Sequence, residues 1–152
     1  MNYQIKRLDT RELDIIQPLW EKLNQLHFNL SPDFKNRYKE MCWDKRKAKL
    51  IDKSEELLIE TVRDDQEAII GYCISSIDKE NHKAGEIDSV YIEESHRNAG
   101  LGKLLINNAI EWLTMKGTTE QKLAVGVGNE KVLDFYRQFN FYPLQLILQR
   151  ID

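Results

Sequence analysis

The apolar positions in the first third of the chain predict one short strand followed by two helices. Residues 3–8 have a strand-like composition, and apolar residues then recur in steps of three and four over residues 13–30, as on one face of a helix. Asp9 and Glu12 match a capping box at the start of this segment. Ser31 and the proline after it indicate a second, more polar helix.

From residue 57 the chain is rich in isoleucine and valine and is divided by short polar breaks, a pattern typical of an antiparallel meander. Three strands are predicted, at residues 57–63, 68–77 and 86–92. A helix with one apolar face begins at Gly100. Lys116 and Gly117 are the basic residue and the glycine that favour a helix C-terminus.

The last third of the chain predicts a strand over residues 122–127, a helix from Asn129, and a final strand over residues 141–148. Asn140 suits the left-handed conformation between the last two elements. The order β-α-α-β-β-β-α-β-α-β predicts an α+β fold with a mixed sheet. The strands on either side of the Gly100 helix should be parallel, because only they are joined by a βαβ crossover. Without repeats or linkers, residues 1–152 are expected to form a single domain.

Composition restricts the function more than the fold. Of the 152 residues 41% are hydrophobic and 31% charged, which is typical of a globular protein. No apolar stretch approaches the roughly 20 residues of a membrane span, and the first residues lack the apolar core of a secretory signal, so we expect a cytoplasmic protein without membrane contact. The net charge of −3 argues against nucleic-acid binding. The basic run at residues 45–49 is expected to be a solvated helix face.

Cysteine and histidine positions indicate no metal site. Cys42 and Cys73 are expected to be reduced thiols, and none of the three histidines falls at metal-ligand spacing with them.

The turn before the long helix is the strongest chemical feature of the sequence. A helix N-terminus offers free N–H groups and a partial positive charge to a phosphate. Gly100 and Gly102 allow an anion to approach the backbone, and Arg97 and Lys103 add charge. A P-loop is excluded, because it requires glycine where Arg97 stands and serine or threonine where Leu104 stands. A dinucleotide-binding turn requires a third glycine, which this turn lacks.

The remaining pattern, R-x-x-G-x-G at residues 97–102, resembles the Q/R-x-x-G-x-G/A pyrophosphate motif of the GNAT superfamily of N-acetyltransferases. The preceding strand, S-V-Y-I, matches the family as well. Residues 129–141 are similar to its second motif, N-x-x-A-x-x-F-Y-x-x-x-G-F. This chain departs from the family at Asn98, Ala99, Glu94 and Asn140, which stand where glycine, a basic residue, proline and glycine are common.

The resemblance implies a GNAT-like mixed sheet of six to seven strands flanked by helices, with acetyl-CoA as cosubstrate. The pantetheine arm would bond to the main chain of Val90, Tyr91 and Ile92, in a wedge between two parallel strands. One N–H there would polarise the thioester carbonyl, as an oxyanion hole does. The pyrophosphate would be held by Arg97, Asn98, Ala99, Gly100, Leu101, Gly102 and Lys103. Asn129 would either touch the cofactor or only cap its helix.

Three side chains are candidates for proton transfer. Tyr136 matches the tyrosine that protonates the departing thiolate in this family, although it could instead be a core aromatic. An alkyl amine has a pKa of about 10 and must lose a proton before it attacks. Glu86 and Asp88 share one face of their strand and could accept that proton, or they could lie on a solvated face of the sheet.

These residues predict transfer of the acetyl group of acetyl-CoA to a primary amine by direct attack in a ternary complex, because no cysteine accompanies the motifs. The acceptor would be a small-molecule or peptide amine, and the resemblance implies that it is recognised by the part of the chain between the first strand and the second. Phe28, Tyr38 and Trp43 either line that pocket or pack in the core. A non-catalytic acyl-CoA-binding module and a nucleotide-phosphate binder of another fold are the alternatives. A homodimer is common among such proteins and is left open.

Overall fold

One mixed sheet of five strands organises the molecule. The computed structural model describes residues 1–152. Its strands, in the order in which they lie across the sheet, are β1 (Gln4–Leu8), β2 (Ser54–Arg63), β3 (Ile69–Asp78), β4 (Ala84–Ile92) and β5 (Glu120–Leu123). The first four are antiparallel neighbours, and β5 is parallel to β4. The predicted meander and the predicted parallel crossover are therefore confirmed.

Three helices connect β1 to β2, and one helix follows each of β4 and β5. They are α1 (Gln17–Leu30), α2 (Lys35–Glu40), α3 (Trp43–Lys53), α4 (Leu101–Met115) and α5 (Leu133–Arg137). Asp9 and Glu12 form the predicted capping box, which opens a 3-10 helix at Thr10–Ile16. Pro18 lies in the first turn of α1. A residue there needs no N–H, because first-turn N–H groups have no partner within the helix. None of the helices has the length and apolar character that a membrane crossing requires.

The predicted element order and strand number are wrong in two places. Two helices rather than one follow α1, because Cys42 adopts an extended conformation and separates α2 from α3. The predicted strand at residues 141–148 does not join the sheet, which leaves five strands rather than six to seven. Residues 142–152 make no main-chain hydrogen bond. Apolar alternation marks a segment that can pair as a strand, but it does not determine whether the segment reaches an edge of the sheet.

Two apolar clusters cover the two faces of the sheet. Alternation along β3 sends Cys73 to the cluster beneath α4, whereas Tyr72 and Ile74 join the cluster beneath α1 and α3. The strands β3 and β4 are thus enclosed on both sides. This arrangement holds β4, which carries the predicted site residues, in a fixed position at the middle of the fold.

Candidate active site

The strands β4 and β5 diverge in the middle of the molecule. Residues 84–87 of β4 pair with residues 120–123 of β5, and β4 then continues to Ile92 with only β3 beside it. The main-chain groups of residues 88–92 that face away from β3 have no strand partner. This opening is the wedge that the resemblance implied, and it leaves an edge to which an extended ligand can bond.

A β-bulge lies where the two strands part. Ile87 and Ser89 of β4 are opposite Ser75 and Ile74 of β3, so Asp88 is the extra residue. A bulge bends its strand and redirects the side chains beside it. The wedge therefore begins at a bend in β4 that carries one of the predicted carboxylates.

The turn between β4 and α4 presents a row of free amides. The N–H groups of residues 98–103 donate to no main-chain carbonyl. Gly100 has a φ of 78° and Asn98 a φ of 68°, both in the left-handed region that glycine and asparagine tolerate best. Successive N–H groups in such a turn form a concavity for an anion. Asn98, which departs from the family pattern, therefore adopts a conformation suited to the glycine it replaces.

Two contacts between distant residues fix the start of this turn. Lys22 of α1 forms an ion pair with Glu93, with Nζ 2.5 Å from Oε1. The Tyr3 hydroxyl lies 3.0 Å from Nδ1 of His96. No local pattern of residues predicts these pairs, since their members are 71 and 93 residues apart. They hold the turn in shape without a ligand.

The two cations beside the turn are placed differently. The Arg97 side chain folds back, with Nε donating to the carbonyl of Ile92 at 2.9 Å and the guanidinium 5.3 Å from the ring centroid of Tyr91. The carbonyl of Ile92 is therefore already bound by the protein. Lys103 is exposed and makes no ion pair, which leaves its ammonium group available to an anion.

Tyr136 lies on the face of the sheet that also holds Val90 and Ile92, where all three border the α4 cluster. Its helix contacts the start of α4, since a Cβ on Gly102 would lie 3.5 Å from the ring of Phe135. The Tyr136 hydroxyl has no hydrogen-bond partner in the protein, and burial raises its pKa to about 12. The phenol therefore stays protonated at neutral pH and is able to donate its proton.

Asn129 stands at the N-cap position of a short helical turn, as predicted, but its side chain does not supply the expected capping hydrogen bond. The turn is the 3-10 helix Glu130–Val132. The Glu130 carboxylate instead accepts a hydrogen bond from the N–H of Gly128 at 2.9 Å. The Asn129 amide is left without this local partner.

Glu86 and Asp88 share one face, as predicted, but that face is not a solvated one. Lys53, the last residue of α3, lies between them: its Nζ is 3.3 Å from Oε1 of Glu86 and binds Oδ1 of Asp88. The Asp88 side chain is fully buried, and its Oδ2 has no hydrogen-bond partner.

Burial and the neighbouring charges shift the pKa values of Asp88 and Lys53 in opposite directions. Burial raises the pKa of Asp88, against the pull of the Lys53 ammonium group. Burial alone would lower the pKa of Lys53, but the two carboxylates outweigh it and the pKa of Lys53 is raised. The sequence missed Lys53, because nothing at its position signals a contact with β4.

The basic run at residues 45–49 is only partly a solvated face. Arg46 reaches β4, where its Nη2 donates to the main-chain carbonyl of Asp88 at 3.0 Å. Lys47 pairs with Asp14, with Nζ 2.9 Å from Oδ1. Lys45 and Lys49 are exposed, as expected. Arg46 thus helps to hold the bulge at the opening of the wedge.

The three aromatic residues predicted near the acceptor have different positions. Phe28 and Tyr38 line a groove of about 360 Å³ between α1 and α2, together with Asn24, Gln25 and Lys39. Trp43 is only 2% exposed and packs in the core, with Nε1 donating to Asp14 at 2.8 Å. Two of the three therefore remain candidates for contact with a ligand.

Comparison with known proteins identifies the family. A family model described as the acetyltransferase (GNAT) family matches residues 18–141. The chain belongs to the GNAT acetyltransferase family. An uncharacterized N-acetyltransferase of Methanocaldococcus jannaschii is 32% identical to this GNAT chain over 74 residues. That match covers 49% of this chain and 32% of the relative, so the chain spans about a third of that protein's length.

Solved structures share the fold of this GNAT protein. A mutant of a Bacillus halodurans protein superposes with a TM-score of 0.76 at 14% identity, covering 97% of this chain and 98% of that one. The enzyme AAC(6')-Iy, in complex with the bisubstrate analog CoA-S-monomethyl-acetylneamine, superposes with a TM-score of 0.67 at 17% identity. The match covers 100% of this chain and 99% of that one. A ribosomal-protein-alanine N-acetyltransferase of Brucella melitensis superposes with a TM-score of 0.67 at 17% identity, covering 99% of this chain and 100% of that one.

Proposed function

We propose that this GNAT protein transfers the acetyl group of acetyl-CoA to a primary amine by direct attack in a ternary complex. One observation supports this most: the free amides of residues 98–103 adjoin the open edge of β4. An anion site beside an unpaired strand edge suits a ligand that joins a diphosphate to an extended, amide-containing arm. Coenzyme A has this composition.

In the proposed complex, the diphosphate lies over the turn and the pantetheine arm follows β4. The amides of Asn98, Ala99, Gly100, Leu101, Gly102 and Lys103 would bind the phosphate oxygens, with the ammonium group of Lys103 and the guanidinium of Arg97 beside them. Val90 would bond the arm through its outward-facing main-chain groups, and the N–H of Ile92, which also faces away from β3, would polarise the thioester carbonyl. The main chain of Tyr91 faces β3, like that of Glu93, whose N–H donates to the carbonyl of Ile70, so the predicted role of Tyr91 main-chain groups is not supported. The side-chain amide of Asn129, which makes no capping hydrogen bond, would face the cofactor from the other side of the wedge.

Tyr136 would complete the transfer as the acid. The amine nitrogen attacks the thioester carbon, the carbon–sulfur bond breaks, and the sulfur takes the phenolic proton. This role is supported by a hydroxyl without a competing partner in the protein and by the place of Tyr136 on the face of the sheet that holds Val90 and Ile92.

Asp88 is the better candidate for the base. It lies at the bulge where the wedge opens, and its Oδ2 has no partner, whereas Glu86 lies where β4 is still paired with β5. Burial raises the pKa of Asp88, which strengthens it as a proton acceptor. Glu86 would then share the charge of Lys53, which also binds Oδ1 of Asp88, and Oδ2 of Asp88 would be the atom that accepts the proton.

The acceptor would enter from the groove between α1 and α2. Its lining combines the aromatic rings of Phe28 and Tyr38 with the amides of Asn24 and Gln25. Proteins of this fold include one described as a ribosomal-protein-alanine acetyltransferase and one bound to an acetylneamine conjugate of CoA. Small-molecule and peptide amines are therefore both included in the proposal.

The proposal is tested with acetyl-CoA alone and then with a panel of chemically diverse amines. Acetyl-CoA at about 100 times its Kd should stabilise the fold by about 2.7 kcal/mol and raise the melting temperature. Free coenzyme A should compete, whereas ATP should not. Amine-dependent release of thiol supports the enzyme. Binding without thiol release from any amine would instead indicate the non-catalytic module, and no binding at all would refute both.

Replacement of the two carboxylates separates their roles. Asp88→Asn should lower kcat/KM by about 10²-fold or more, because it removes the base but keeps the shape of the side chain. Glu86→Gln should reduce it much less, and neither variant should weaken acetyl-CoA binding. Steady-state kinetics between pH 6 and 10 provide the measurement. An Asp88→Asn enzyme with full activity across that range would rule out this base.

A further inference from the structure

One helix, α3, holds the bulge residue Asp88 by both its side chain and its main chain. Lys53, the last residue of α3, binds Oδ1 of Asp88, and Arg46 donates from Nη2 to the Asp88 carbonyl at 3.0 Å. The two cations are seven residues apart, which is about two turns of a helix, so they lie on one face of α3. Trp43 and Leu50, each three residues before one of these cations, are buried in the cluster beneath α1 and α3. The helix is therefore anchored in the core and brings two cations to the bulge.

The charges in contact with Asp88 do not balance. Lys53 also lies 3.3 Å from Oε1 of Glu86, so one ammonium group serves two carboxylates. The side chains of Lys53 and Glu86 are 30% and 29% exposed, whereas that of Asp88 is 0% exposed. The other ionisable side chains around this group are those of Arg46 on α3, Tyr72, Cys73 and Asp78 on β3, and Lys122 on β5. Among the cations, only Lys53 contacts both carboxylates.

The arrangement is not one that stability alone would produce. Oδ2 of Asp88 is buried and has no hydrogen-bond partner in the protein. A buried acceptor without a partner destabilises a fold, and a buried ion pair often contributes little net stability. Buried polar groups that remain unpaired occur where a catalytic partner is missing from the protein itself. The Lys53 contact thus occupies one oxygen of Asp88 and leaves the other available.

We propose that Lys53 is a positioning residue for the base of the transfer reaction: it fixes Asp88 through Oδ1 and leaves Oδ2 to take the proton of the attacking amine. Lys53 acts through Asp88 and does not itself accept or donate the proton. Arg46 supports the same geometry from the main chain, because it holds the carbonyl of the bulge residue. This inference rests on the proposed acetyl transfer and on Asp88 as its base.

The charge of Lys53 also sets the pH range in which Asp88 can work. Burial raises the pKa of Asp88, Lys53 lowers it, and the like charge of Glu86 raises it. A carboxyl group accepts a proton only when it is ionised, that is, above its pKa. Lys53 therefore extends the activity of the base to lower pH, and Glu86 opposes this effect.

The pH dependence of kcat/KM for the amine, measured from pH 5 to 10 at saturating acetyl-CoA, tests this role. Lys53→Met removes the charge and should move the acidic limb that belongs to Asp88 upward by about 1–3 pH units. Below that limb kcat/KM should be roughly 10- to 1,000-fold lower than in the unaltered chain, and at pH 10 most of the loss should be recovered. The limb that belongs to the free amine stays the same in every variant.

Two further lysine variants separate charge from position on the helix. Lys53→Arg keeps the positive charge and should keep the limb close to its original pH. The matched control, Lys49→Met, removes an exposed lysine one turn earlier in α3 and should have the profile of the unaltered chain. Circular dichroism verifies that all variants are folded.

Glu86→Gln should move the limb in the opposite direction. It removes the like charge and leaves Lys53 to Asp88 alone, so Asp88 should lose its proton at lower pH. A purely structural ion pair predicts losses that do not depend on pH and a limb that stays in place. That result, or a limb that moves the same way in Lys53→Met and Glu86→Gln, overturns the proposal.

Carbon-13 NMR of the aspartate carboxyl groups gives a reading that does not require turnover. With the Asp88 signal assigned from Asp88→Asn, the pKa of Asp88 should be higher in Lys53→Met and lower in Glu86→Gln than in the unaltered chain. An unchanged Asp88 pKa in Lys53→Met overturns the proposal even if acetyl transfer is observed. The expected NMR changes without thiol release from any amine would instead refute acetyl transfer, and with it the role of Lys53 in that reaction.

Discussion

Tyr136 and Asp88 have side chains whose protonation is set by their surroundings. Burial raises the pKa of both groups, to about 12 for the phenol, although Lys53 opposes the shift at Asp88. Burial disfavours both anions, so it strengthens Asp88 as a proton acceptor and keeps Tyr136 neutral. At the scale of the residue, burial therefore sets the pKa values of the groups proposed for proton transfer.

Replacement of Tyr136 by phenylalanine tests whether its hydroxyl donates a proton in the reaction. Tyr136→Phe should lower kcat by about 10²-fold or more, because the thiolate loses its proton donor while the ring stays in place. The affinity for acetyl-CoA should not change. Thiol-release kinetics and calorimetric titration give the two values. The control variant, Tyr142→Phe, removes a hydroxyl from a residue that is 63% exposed and should be as active as the unaltered chain. An equal loss of activity in both variants would contradict the proposed role of Tyr136 as the acid.

The elements around the site are held in place by loops that allow little change. The loop after β5 lies against the end of α1, where a Cβ on Gly128 would overlap the carbonyl oxygen of Leu30. Gly128 also has a φ of 103°, which only glycine adopts without strain. This contact fixes the approach to α5, and with it the position of Tyr136.

Alanine at Gly128 should therefore be far more costly than alanine at another left-handed glycine. Gly128→Ala combines backbone strain with a clash against main chain, and should destabilise the protein by roughly 3 kcal/mol or more. Gly117 has a φ of 86° but open space around it, so Gly117→Ala should cost only about 1–2 kcal/mol. Urea unfolding measures both. Similar losses at the two positions would mean that the loop can move away from α1.

The whole molecule is built on a sheet whose central strands are buried on both faces, and an ionisable group inside it links stability to pH. Cys73 lies within the α4 cluster, where burial raises its pKa from 9.0 to about 12. Below pH 9 the thiol is protonated in the folded and unfolded states alike. Above pH 9 the unfolded chain loses this proton while the folded protein keeps it, so stability falls as the pH rises.

Cys73→Ala should flatten this alkaline loss of stability. The thiol contributes up to about 1.4 kcal/mol per pH unit between pH 9 and its folded pKa, and the variant lacks that contribution. Urea midpoints under reducing conditions from pH 8 to 11 provide the slope. The exposed Cys42 is the control, and Cys42→Ala should keep the slope of the unaltered chain. Equal slopes for all three proteins would contradict the assignment to Cys73.

The sequence by itself determined the features that arise within a few residues. The capping box of Asp9 and Glu12 formed as predicted, and Gly117 and Asn140 adopted the left-handed conformations expected after a helix. The meander and its parallel crossover were also predicted correctly. Alternation, capping and turn conformation depend on neighbours along the chain, and so they can be identified from the sequence.

The tertiary structure alone decided what depends on distant partners. It placed Lys53 between Glu86 and Asp88, 33 and 35 residues away, and turned a possible solvated face into a partly buried group of three charges. It also parted β4 from β5 at the bulge and left residues 142–152 outside the sheet. Pairing and burial depend on which surfaces meet in the folded chain, and a local pattern of residues does not specify that meeting.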